Sequence, residues 1–139
     1  MPKVIFDTVA FVRSLINPRS FWGKIIFEHS LKYRLFVSGQ ILLEILEVLK
    51  RPEITAKFRT IEGRDIKRIL EILSQAEVVE ISGIPQVSRD IKDDKFLATA
   101  KEAKVDYLVS AEQDLLDIKE YEGIKIIDAE TFLNILSQL

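Results

Sequence analysis

Short apolar runs that alternate with stretches of helical spacing constrain this chain more than any other feature. Val4-Ile5-Phe6, Leu35-Phe36-Val37 and Tyr107-Leu108-Val109 carry no polar residue at all. A strand with one face in water alternates polar and apolar residues, whereas an uninterrupted run is buried on both faces. Such strands belong to a parallel sheet with helices above and below it. Five strands are expected, over residues 3–7, 35–37, 78–81, 106–109 and 124–127. The expected fold is therefore a three-layer α/β/α domain, one unit over residues 1–139, around a mostly parallel sheet of four to five strands.

The helices between them follow from spacing and punctuation. Residues 9–15 read as helix up to Asn17-Pro18, and Ser20 is a suitable cap for a helix over 21–31. A long helix is expected over 40–50, stopped at Arg51-Pro52. A short one over 55–59 follows, then one over 62–75, where Ile66, Ile69, Leu70 and Leu73 recur at i, i+3, i+4 and i+7. Residues 83–88 read as loop, Asp93 or Asp94 as the start of a helix to about Lys104, 110–116 as a turn or single helical turn, and Asp128 as the cap of a last helix.

The first strand ends in Asp7-Thr8, and the fourth runs into Ser110-Ala111-Glu112-Gln113-Asp114. In a parallel sheet both clusters leave the same edge, and open α/β sheets bind ligands just outside the carboxyl ends of their strands. Glu44 lies at the margin of the apolar stripe that Ile41, Leu42, Ile45, Val48 and Leu49 form, whereas Glu47 lies opposite. Asp90, Asp93 and Asp94 precede the helix that carries Phe96, Leu97 and Ala100, with Asp94 at the border of its apolar face. Each acid alone has an ordinary use as a helix cap or a surface charge. Three acids within five residues exceed what one cap needs, and crowded carboxylates repel unless a cation sits among them. A set drawn from Asp7, Glu44, Asp94, Glu112 and Asp114 is all oxygen, which suits Mg²⁺ or Mn²⁺.

Other chemistries lack their residues. The chain has no cysteine, so disulfides, thiolate catalysis and zinc–thiolate sites are excluded. His29 is the only histidine and reads as structural. There is no glycine-rich phosphate loop and no Gly-x-Ser-x-Gly elbow. An Asp-x-Asp phosphatase would need an acid where Val9 stands, and a receiver domain would need one near Ser38-Gly39. No apolar run is long enough to span a bilayer and the N-terminus enters a strand directly, so a cytoplasmic protein without a membrane partner is expected. Residues 1–68 hold 13 Lys/Arg against 7 Asp/Glu, and residues 69–139 hold 7 against 15. Such segregation is ordinary on a solvated surface, and a basic flank beside an acidic pocket is also what a metal enzyme acting on phosphates could use.

The ordered set of these segments resembles the PIN-domain nucleases, in particular the branch whose members are toxins of toxin–antitoxin pairs. The resemblance rests on residues 4–8, 38–52, 89–100 and 106–116 and so covers nearly the whole chain. It implies metal-dependent hydrolysis of RNA phosphodiesters by water, with Mg²⁺ or Mn²⁺ as cofactor and an antitoxin protein as partner. By position it matches Asp7, Glu44 and Asp94 to the first three acids of the family, with Glu112 where Asp is usual and Asp114 as a further acid. Thr8 and Ser110 match supporting hydroxyls, and Ser38, Asp90 and Asp93 are assigned supporting places beside them. Val9 stands where Asn is usual, Ile91 where Pro is frequent and Ala111 where Gly is frequent. Val9 and Glu112 also motivate an alternative, a non-catalytic PIN-like module that binds RNA or protein. A homodimer through the apolar helices over 21–31 and 66–73 is a further expectation, weighed against their use as ordinary core.

Overall fold

The computed structural model describes residues 1–57, 62–83 and 90–139, with only the backbone of 55–57 and 62–65. The far end of the helix expected over 55–59 and nearly all of the loop expected over 83–88 lie outside these residues. In chain order the elements are β1 (Lys3–Phe6), α1 (Val9–Ile16), α2 (Phe21–Gly23), β2 (Arg34–Ser38), α3 (Gly39–Leu49), α4 (Pro52–Lys57), α5 (Glu62–Ser74) and β3 (Glu77–Val79). They continue with α6 (Asp94–Ala103), β4 (Tyr107–Val109), α7 (Gln113–Leu116), β5 (Glu120–Tyr121), β6 (Ile124–Ile127) and α8 (Ala129–Ser137).

The sheet has six strands in the order β3-β2-β1-β4-β6-β5. β1, β2, β3, β4 and β6 are parallel, and β5 pairs antiparallel with β6. That is one strand more than the expected four to five; β5 is only two residues long and begins with a charge, so it carries no strand pattern in the sequence. It is made by chain reversal: Glu122 (φ 50°) and Gly123 (φ 83°) are both left-handed, as a two-residue hairpin requires.

β1 is central, and its neighbours explain why its sequence is unbroken. Successive residues of a strand point to opposite faces, and Val4, Ile5 and Phe6 are all buried. α6 packs across β1, β2 and β4. Phe6 enters a ring cluster, with centroids 6.2 Å from Phe11, 5.7 Å from Trp22, 5.3 Å from Tyr33 and 6.0 Å from Phe132. These belong to α1, α2, α8 and the segment that leads into β2.

After β1 the chain crosses to β2 on one side, and after β4 it crosses to β6 on the other. The strand order reverses between β1 and β4, and the crevice at their carboxyl ends is where such a sheet binds its ligand. Asp7 and Ser110 are the residues that follow these two strands.

The single helix expected over 21–31 is instead three short pieces. α2 passes into a wider π turn over Lys24–Glu28 and then a 3₁₀ turn over Ser30–Lys32. The Tyr33 hydroxyl reaches back to donate to the Ile25 carbonyl at 3.1 Å, and an inserted side chain is a recognised cause of a widened ladder. Ser20 caps α2 as expected, accepting from the Gly23 amide at 3.1 Å. A Cβ on Gly23 would lie 2.2 Å from the Pro18 carbonyl oxygen. That oxygen is backbone and cannot rotate away. Gly23→Ala is therefore expected to lower stability in urea by about 1–3 kcal/mol, the usual effect of overpacking; an unchanged midpoint would contradict this packing.

Candidate metal centre at the carboxyl edge of the sheet

Asp7 is 1% exposed, and its carboxylate is fixed from three directions. Oδ2 accepts from the Ser110 hydroxyl at 2.7 Å and from the Ala111 amide at 2.9 Å, and Oδ1 accepts from the Ala10 amide at 3.3 Å. The last belongs to the first turn of α1 and is shared with the Asp7 carbonyl at 3.2 Å, and a negative charge is favoured at that helix end. Burial nevertheless dominates and raises the carboxyl above its ordinary range, against the Ser110 and Ala111 hydrogen bonds, with Glu112 adding repulsion. Ser110 also accepts from the Glu112 amide at 2.9 Å, so one hydroxyl orients the acid after β1 and the backbone after β4.

A cleft of about 180 Å³ opens here, lined by Asp7, Thr8, Val9, Glu44, Asp90, Lys92, Asp93, Lys95, Phe96 and Glu112. The capping question the sequence left open is answered residue by residue. Asp90 does cap, accepting from the Lys92 amide at 3.0 Å. Asp93 and Glu112 stand at the cap positions of α6 and α7, and neither side chain accepts a capping hydrogen bond. Their carboxylates are thus not spent on helix ends. Asp93 is 7% exposed and its carboxyl is pushed up to about 6, first by burial and then by Asp90, Glu112 and Asp7.

Asp90, Asp93 and Asp114 also offer oxygens that lie within 4.8 Å of one another. Four or five carboxylates in so small a volume repel strongly, and a divalent cation is what relieves such crowding. The donors are hard oxygens with no imidazole or thiolate among the residues lining the cleft, so the set fits Mg²⁺ or Mn²⁺.

Glu44 reaches the cleft from α3. Its Oε2 accepts from the Thr8 hydroxyl at 2.5 Å, and its Oε1 lies 3.2 Å from the Lys95 ammonium. Glu44 is thus engaged inside the cleft, whereas Glu47, one turn on, pairs with Arg51 at 3.8 Å. Ser38 lies behind this wall. Its hydroxyl accepts from the Ile41 amide at 3.4 Å and lies 2.9 Å from the Thr99 hydroxyl, which ties α3 to α6.

Asp94, matched above to the third acid, is 1% exposed and does not line the cleft, whereas its neighbour Asp93 does. Asp94 lies at the border of the apolar face of α6 and is buried along with Phe96 and Leu97. The turn before α6 is 3₁₀ over Ile91–Asp93. A 3₁₀ turn advances by about 120° per residue instead of 100°, so facings within it do not follow the spacing of an α-helix. Lys92 and Lys95 are cleft residues that the search for acids passed over. A lysine spaced by three from another, beside the acid cluster, was the available signal.

Residues 3–114 match the family model described as PIN domain. An uncharacterized protein of Methanocaldococcus jannaschii, MJ1680, is 31% identical over 121 residues, which cover 85% of this chain and 76% of that protein. Among solved structures, PAE2754 from Pyrobaculum aerophilum is similar with a TM-score of 0.63 and 19% identity, covering 99% of this chain and 91% of that one. VapBC2 from Rickettsia felis, bound to a DNA fragment from its promoter, is similar with a TM-score of 0.56 and 11% identity, over 91% and 98%. DNA-bound VapBC from Salmonella typhimurium gives 0.55 and 17%, over 93% and 99%.

Proposed function

The chain belongs to the PIN-domain family, and from that premise we propose that it is a metal-dependent endoribonuclease. In this reading Asp7, Asp93 and Glu112 hold Mg²⁺ or Mn²⁺, with Asp90 and Asp114 beside them. Asp94 supports the first turn of α6 from inside. The carrying observation is that Asp93 and Glu112 occupy cap positions without capping and line the same cleft as the buried Asp7 carboxylate. Thr8 and Ser110 act as positioning hydroxyls, Thr8 on Glu44 and Ser110 on Asp7. When bound, the ion supplies a water of lowered pKa and stabilises charge that develops on the phosphate. The protein's own part is to fix the oxygens and present one open side to the substrate.

The likeness to VapBC proteins supports a role as a cytoplasmic toxin paired with an antitoxin protein. No helix among the described residues is long and apolar enough to cross a membrane. A second reading, a PIN-like module that binds RNA without cutting it, is favoured by Val9, whose apolar side chain lines the cleft in place of an amide.

Cleavage of a single-stranded oligoribonucleotide, measured with Mn²⁺ and with EDTA, separates the two readings. The nuclease reading expects cleavage only with the metal; binding without cleavage in both supports the module.

The raised carboxyls of Asp93 and Asp7 add a pH dependence. An acid with a raised folded-state pKa favours folding below its unfolded value, near 3.8, and loses that contribution as pH rises through about 6 for Asp93. The metal-free protein is therefore expected to lose stability across that window. Mn²⁺ needs the ionised oxygens, so its stabilisation runs the other way. At about a hundredfold over Kd it should raise Tm by roughly 5–10 °C at pH 7.5 and by clearly less at pH 5. Equal shifts at the two pH values, read by thermal denaturation, would place the ion away from these carboxylates.

A further inference from the structure

Resting on the nuclease reading above, we infer that the hollow between α1, α2 and the start of α8 seats one base of a single-stranded RNA. The base belongs to the nucleotide next to the scissile phosphate; Phe21 stacks on it, and Arg13 holds the adjoining backbone phosphate. The hollow measures about 470 Å³, and Arg13, Ile16, Phe21, Trp22, Ser110 and Ala111 are among its lining residues. Ile16 is 56% and Phe21 47% exposed, whereas Trp22 is buried. Among the described residues the Phe21 ring packs against no other ring, and Arg13 pairs with no carboxylate. Large apolar side chains grouped at a surface mark a binding site.

The hollow shares a wall with the acidic cleft. Ser110 and Ala111 line the hollow, and the Ser110 hydroxyl and Ala111 amide donate to Asp7, which lines the cleft. Glu112, the next residue, lines the cleft as well. α1 runs along both spaces. Val9 lines the cleft, and Arg13, one turn further along the same face, lines the hollow. Those four residues advance about 6 Å along the axis, close to the step between successive phosphates of an extended strand. The cleft, at about 180 Å³, is smaller than pockets that enclose an organic ligand. It takes an ion and a phosphate and leaves the attached nucleosides outside. The hollow is within the ordinary range of ligand pockets.

The lining separates base from phosphate. Asp128 and Glu130 stand on the α8 side. Hydrogen bonds from Thr131 hold the Asp128 carboxyl below its ordinary range, so that wall is anionic and turns a phosphate away. A base is neutral, its ring face stacks on an aromatic side chain, and its amino group is a donor that acids accept. Arg13, on the α1 side, supplies the cation for the backbone. An aromatic platform beside a cation is how single strands are held without base pairing. The shared wall with the cleft favours the nucleic acid over a protein segment as occupant.

The test uses the full chain, with Ca²⁺ in place of Mn²⁺ so that RNA is bound and left uncut. The probe is a short single-stranded RNA with one abasic nucleotide at successive positions. Trp22 is the only tryptophan, so its fluorescence reports on the hollow directly. Intact RNA should quench it. One abasic position, next to the bond that Mn²⁺ cleaves, should remove the quench and weaken binding by about ten- to a hundredfold, as the loss of a stacked base does. Other positions should cost less than about threefold. Phe21→Ala should weaken binding of intact RNA to the same extent and erase the difference between intact and abasic RNA. Phe21→Tyr keeps a ring and should stay within about threefold of wild type. Arg13→Gln should reduce the slope of log K against log salt by about one, as loss of a phosphate contact does, while the abasic penalty stays. None of these side chains belongs to the acid cluster, so Mn²⁺ affinity, read by calorimetry, should remain within about threefold in every variant. The inference is overturned if the abasic penalty survives Phe21→Ala. It is equally overturned if Phe21→Ala binds intact RNA as wild type does, which would leave the hollow to a protein partner. Mn²⁺-dependent cleavage of intact RNA by the wild type is a separate result. Cleavage together with an indifferent Phe21 overturns this inference alone, and a single abasic-sensitive position without cleavage overturns the nuclease reading alone.

Discussion

Asp7→Asn is expected to abolish Mn²⁺-dependent RNA cleavage while leaving the fold intact or slightly more stable. The substitution keeps shape and one oxygen, so Ser110 and Ala111 retain an acceptor near their present 2.7 and 2.9 Å. What it removes is the negative charge at the head of β1. A metal supplies several kcal/mol of charge stabilisation in the transition state, so its loss or displacement corresponds to about 10³-fold in rate. The stability effect has the opposite sign. Burial raises the Asp7 carboxyl above its ordinary value in the metal-free protein, so at neutral pH the ionised group works against folding. A neutral amide avoids that cost. In EDTA the variant should melt at or above the wild-type temperature, and Mn²⁺ should no longer shift it. A variant that melts well below wild type in EDTA would mean that Asp7 is there to hold the fold together.

The largest loss of stability is expected from Phe132→Ala. Phe132 lies on α8, is fully buried, and has ring centroids 6.0 Å from Phe6, 5.8 Å from Tyr33 and 5.9 Å from Tyr107. Its removal leaves a cavity between rings held by three different elements, and such rings do not close up freely. The expected cost is about 3–5 kcal/mol, read as a shift of the urea midpoint at constant slope. A cost near 1 kcal/mol would mean that α8 can collapse onto the sheet, and that the ring cluster is not the joint between them. Because Phe6 precedes Asp7, this cluster also anchors the strand that delivers the buried acid. Cleavage per folded molecule should therefore survive the substitution while the folded fraction falls.

Much of this arrangement is legible in the residues themselves. Val4-Ile5-Phe6 has no polar member because both of its faces are covered, and the parallel central sheet follows from that. Asp7, Glu44, Ser110 and Glu112 meet at one edge because parallel strands deliver their ends to one side. β5 escaped because two residues carry no period, and its pairing depends on the positive φ of Glu122 and Gly123. The helix over 21–31 reads as one piece because periodicity does not register a tyrosine hydroxyl that inserts eight residues later. Asp93 and Asp94 are adjacent in sequence, so composition cannot choose between them. The cleft is lined by Asp93, whereas Asp94 is buried beside it. Lys95 is invisible in a search for acids, since a cation in an acidic site is recognised only once Glu44 is seen beside it.

Diffraction from a crystal soaked in Mn²⁺, collected at the manganese edge, tests the central claim most directly. The account predicts an anomalous peak in the cleft with oxygens of Asp7, Asp93 and Glu112 around it, directly or through bound water. A peak elsewhere, or acids that stay paired with lysines and arginines while the cleft takes up no ion, would contradict it.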